Sequence, residues 1–66
     1  MFVVKNNMII SLEKTMITQV EGNVIGFYGD TFSRHIPFTD EELAHVEFEK
    51  IVKAAKAGEK VYVIGE

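Results

Sequence analysis

Residues 38–58 specify a helix with both of its ends, and that constrains what the rest of the chain can become. Thr39 has the side chain of an N-cap. Glu42, three residues on, can reach back to the capping amide, and Phe38 ahead of the cap can pack against Leu43. Pro37 lies just outside the start, where it breaks nothing. At the far end Lys53 and Lys56 stand where the helix dipole favours cations, and Gly58 can take the positive φ that stops a helix. One helix over about residues 40–57 is therefore expected.

Outside this helix the composition points to strands. Val and Ile number fifteen against two Leu, and β-branched side chains fit a pleated sheet better than a helix. Two short apolar runs, Phe2 to Val4 and Met8 to Leu12, flank Asn6-Asn7 and predict a tight hairpin. Thr15 to Val20 alternates as a half-buried strand. A short helix over 11–20 would also line up Leu12, Met16, Ile17 and Val20, and the β-branched content favours the strand. Turn clusters at Glu21-Gly22-Asn23 and Gly29-Asp30 frame a strand from Val24 to Tyr28. Within it Gly26 suggests a bulge or a close backbone approach. A further strand from Thr31 to Ile36 turns Phe32, Arg34 and Ile36 to one face and Thr31, Ser33 and His35 to the other. The last strand, 60–64, is apolar on both faces, which predicts that it is covered on each side within the sheet. The expected fold is α+β: a single domain, 1–66, with a small antiparallel sheet of four to six strands packed on one helix that precedes the final strand.

Sixty-six residues without cysteine leave neither disulfides nor thiolate metal sites to stabilise so small a domain. Ala, Val, Ile, Leu, Met, Phe and Gly make up 34 of the 66 residues, slightly more than the roughly 45–50% of average domains. A small domain has proportionally less interior to hold them, so a homo-oligomer is expected. The helix supplies a candidate surface. Its apolar arc spans about half of the wheel, interrupted by Glu47, where a sheet needs a stripe of only about 100°. Val46, Phe48, Val52 and Ala57, with Tyr62 of the last strand, are the candidate interface. Tyr28, Arg34 and His35 form a candidate exposed polar patch.

No pattern in the chain specifies catalysis. Glu41, His45 and Glu49 share one helical ridge, but ligands from one helix rarely complete a metal site, and a solvated ridge explains them. Asp30, Ser33 and His35 are the residue types of a hydrolytic triad, yet nothing supplies a buried acid or an oxyanion site. The segment from Gly26 to Phe32 has part of the aromatic strand pattern of RNA-recognition modules. Ile25 stands where that pattern begins with a basic residue, and Asp30 where it has an aromatic one. Gly22, Gly26 and Gly29 match neither phosphate-loop spacing. A net charge of −3 disfavours broad nucleic-acid or anionic-membrane affinity. No run approaches the ~20 apolar residues of a membrane span, and the early run Met8 to Ile10 is too short for a signal-peptide core, so cytoplasmic residence is expected. The expectation is a non-catalytic accessory or regulatory protein without cofactor or metal. It would bind itself and a protein or small-ligand partner. A nucleic-acid-binding regulator is the alternative, and a small metal protein or enzyme using His35 or His45 the second.

Overall fold

The two asparagines make the first turn, with Asn6 in the left-handed region at φ 54°. They join strand β1 (Phe2–Lys5) to β2 (Met8–Ser11) as an antiparallel hairpin with Lys5 opposite Met8. The computed structural model describes residues 1–65. A 3₁₀ turn, Leu12–Lys14, follows, and the Thr15 hydroxyl donates to the Ser11 carbonyl at 2.8 Å to fasten it. The ambiguous stretch is thus one turn and then strand β3 (Thr15–Glu21), whose register slips between Thr15 and Ile17. Strands β4 (Val24–Gly29) and β5 (Ser33–Pro37) complete a meander with β3. Helix α1 (Glu41–Lys56) and strand β6 (Val61–Val63) end the order.

The α+β class holds, with six strands and one α-helix among the described residues. The strands fall into two three-stranded sheets, β2-β1-β6 and β3-β4-β5. In the first, β6 runs parallel to β1, with Tyr62 beside Val3. Strand β6 was expected inside a sheet and instead lies at an edge, because β1 already pairs with β2 on its other side. One core joins both sheets to the helix: Val3 and Ile10 from the first sheet with Ile64 just beyond β6, Ile25, Phe27 and Ile36 from the second, and Phe38, Ala44 and Ile51.

The helix starts one residue later than its sequence suggests. Asn23 holds the Phe38 backbone from both sides, its side-chain amide donating to the Phe38 carbonyl and its own carbonyl accepting from the Phe38 amide, each at 2.8 Å. This keeps the chain extended past Pro37, so Asp40 and not Thr39 becomes the N-cap and accepts from the Leu43 amide at 2.8 Å. The Thr39–Glu42 capping box does not form. Phe38 enters the core while Leu43 is 39% exposed, and with the cap at Asp40 these two no longer occupy the positions of a hydrophobic staple. The C-terminal end is as read. Gly58 has φ 78°, its amide donates to the Ala55 carbonyl, and the Glu59 amide donates to the Ala54 carbonyl, the bond pair of a Schellman motif. Replacing Asp40 by Ala is expected to cost about 1 kcal/mol in urea unfolding, and Thr39→Ala a few tenths. Equal losses for the two would return the cap to Thr39.

Candidate functional site

Side chains alternate across a strand, so burial of Val3, Ile10 and Ile64 turns their neighbours outward. Pairing then aligns two rows over the outer face of the first sheet: Ile9, Val4 and Val63 in one, Ser11, Phe2 and Val61 in the other. Five of these six side chains are apolar and none is ionisable. Ile9 is 69% exposed, Val63 61%, Val61 51% and Phe2 49%. Scattered exposed apolar residues are ordinary, whereas a contiguous uncharged patch marks a contact surface. An open cleft of about 810 Å³ adjoins it, and Phe2 and Val61 line both. Met1, Leu12 and Ala55 extend the apolar surface into that cleft, with Glu13, Glu59 and Lys60 around it.

The magnitudes show what the face can do. Full burial of a Val, Ile or Phe side chain is worth about 1.5–3 kcal/mol. The four most exposed members together expose a little over two side chains' worth, so covering the face gains roughly 3–7 kcal/mol per copy. The open edge of β6 offers less. The Phe2 amide donates to the Lys60 carbonyl and the Ile64 amide to the Val4 carbonyl, which turns the Val61 and Val63 backbone groups away from β1. An added strand would form about four hydrogen bonds there, at roughly 0.5–1.5 kcal/mol net each, and would leave the face bare.

The helix residues expected at an interface are largely occupied within the monomer. Phe48 and Tyr62 pack against the core, Val52 is half-buried, and only Val46 and Ala57 are exposed. Glu47, which interrupted the apolar arc, accepts a hydrogen bond from the Tyr62 hydroxyl at 2.8 Å and pairs with Lys50 at 3.6 Å. Partial burial first, and then this carboxylate, push the Tyr62 phenol up to about 12. A folded-state value above the unfolded 10 means that the stabilisation is complete below pH 10 and lost as pH rises towards 12. Wild type is therefore expected to lose more stability than Tyr62→Phe between those limits in urea melts. Parallel losses would sever the link to Glu47.

The polar patch divides. Tyr28 and His35 share the outer face of the second sheet, ring centroids 5.4 Å apart and edge to face, with the Tyr28 hydroxyl 3.1 Å from His35 Nε2. Tyr28 also donates to Glu21 at 3.3 Å, and Gln19 donates to the same carboxylate. Gly26 permits this. The pairing through it is regular, and the close approach is by the Tyr28 ring, whose atoms would lie 2.7–2.9 Å from a Cβ at that position. Arg34 projects from the opposite face, beside Ile9, Ile10 and Phe32. The arginine and the histidine therefore do not form one site, and a carboxylate stands where a phosphate would have to approach. Among the described residues no three His, Asp or Glu side chains group closely enough to hold a metal ion. No helix among them is long and apolar enough to cross a membrane.

Comparisons with protein families, with curated proteins and with solved structures found no match to this chain. The outer face of the first sheet went unread in the sequence because Phe2, Val4, Ile9, Val61 and Val63 look like strand core. The signal was present in the alternation, since both faces of β1, β2 and β6 are apolar while only one is needed for a core.

Proposed function

We propose that this protein is a non-catalytic interaction module that binds a macromolecule through the outer face of sheet β2-β1-β6 and works as a homo-oligomer. The observation that supports this reading is the contiguous, uncharged patch in which Ile9, Val63, Phe2 and Val61 are exposed around a half-buried Val4, in a chain in which 26% of residues are charged. Such a face recognises apolar surface and excludes charge, as the core of a protein contact does. A photo-crosslinking amino acid placed at Phe2 is expected to yield a covalent adduct in cells. The same probe at Glu49, on the solvated helix ridge, is expected to yield none. Failure of the Phe2 position to trap any macromolecule, or equal trapping at Glu49, would sink the proposal.

A further inference from the structure

We infer that the occupant of this face is a second copy of the chain, packed face to face about a two-fold axis. The inference rests on the reading of the face as the contact surface and adds the identity of the partner.

Charge is the first reason. A surface that covers the face must leave no ion unpaired against it, because a buried charge without a partner is strongly unfavourable. The face itself meets that requirement, having six positions and no ionisable group among them. A two-fold contact brings a patch onto its own copy and closes without leaving a free site for further addition. Geometry is the second reason. Strands of three and four residues make a small plate, and two such plates pack at about 10 Å with their strands about 30° apart, as in any β-sandwich. In that arrangement Val4, on the central strand, lies near the axis, and Ile9 and Val63 flank it.

Extent is the third. The apolar surface continues from Phe2 and Val61 into the cleft, so the contact area exceeds the six positions of the sheet. The border at Phe2 and Val61 carries both signs of charge, Lys60 with Glu13 and Glu59, and the border at Ile9 and Ser11 carries the cations Lys14 and Arg34. A two-fold contact that sets one border of a copy against the other border of its partner therefore places carboxylates within reach of those cations. The edges of the second sheet, by contrast, are poorly suited to self-pairing. Strand β5 carries Arg34 and Pro37, and β3 has a register slip near its start.

The test is sedimentation or light scattering of the full chain across a wide concentration range. Wild type is expected to rise towards twice its 7.5 kDa mass. Ile9→Lys and Val63→Lys should each weaken association by roughly 10²–10³-fold, the effect of burying an unpaired ammonium group. Both positions are exposed in the monomer, so far-UV circular dichroism should be unchanged. Met16→Lys makes the same charge change at a 74% exposed apolar residue on β3, in the other sheet, and should leave the mass as in wild type. Ile9→Ala, which adds no charge, should weaken association in the same direction and covers the case of a lysine variant that does not fold. A wild type that stays monomeric at every concentration overturns the second copy. A Phe2 adduct of some other mass would then leave the interaction face standing. A dimer that survives both lysine variants overturns the face as well.

Discussion

Phe27→Ala is expected to bring the protein to the brink of unfolding at 25 °C. Phe27 is fully buried on the central strand of the second sheet, and removing a core phenylalanine costs about 3–5 kcal/mol through lost transfer energy and the cavity left behind. Domain stability runs at roughly 0.05–0.15 kcal/mol per residue, so for 66 residues the loss is comparable with the whole. The measurement is the urea midpoint, read in dilute solution so that assembly does not contribute. Phe2→Ala provides the contrast. Its ring is half exposed on the outer face, so the isolated chain should lose under about 1 kcal/mol while self-association weakens. If the two variants unfold alike, Phe2 belongs to the fold and the outer face loses its claim as a contact surface.

Ile51→Ala should cost about 2–5 kcal/mol. This side chain is 3% exposed on α1, within the core shared by both sheets. Only it and Ala44 are fully buried among the helix residues, so the helix is held by few deep contacts. The loss is expected to appear as one cooperative transition, with helical and tyrosine signals falling together. A variant with an unchanged midpoint would mean that the helix docks through Phe48 and the Tyr62–Glu47 bond instead.

Much of the fold was legible because local chemistry decided it. Asn6-Asn7 could make a hairpin turn without help from the rest of the chain, and Gly58 could end the helix at a conformation that other residues rarely adopt. The capping residue was not legible. Thr39 and Asp40 are both competent caps, and the choice between them was made by Asn23, fifteen positions before Phe38. Sheet membership was obscure for a related reason. Nothing local to Val61-Tyr62-Val63 reveals whether a neighbour lies on one side or both, since pairing is a long-range event. The same opacity hid the candidate site. An apolar side chain in a strand has the same identity whether it faces the core or open water, and only the burial of Val3, Ile10 and Ile64 in the folded chain tells which.

The parallel pairing of β1 with β6 has a kinetic consequence. Phe2 aligns with Val61 across 59 intervening steps of sequence, whereas the β1–β2 hairpin closes over two residues. Loop-closure entropy places the second event early and the first late. Two of the five apolar side chains, Val61 and Val63, therefore join the other three only when β6 docks. The complete apolar plate is a property of the finished molecule, and a chain arrested before that step displays Phe2, Val4 and Ile9 alone. If a second copy packs on this face as proposed, a chain in which β6 has not docked would offer it only part of the matching surface.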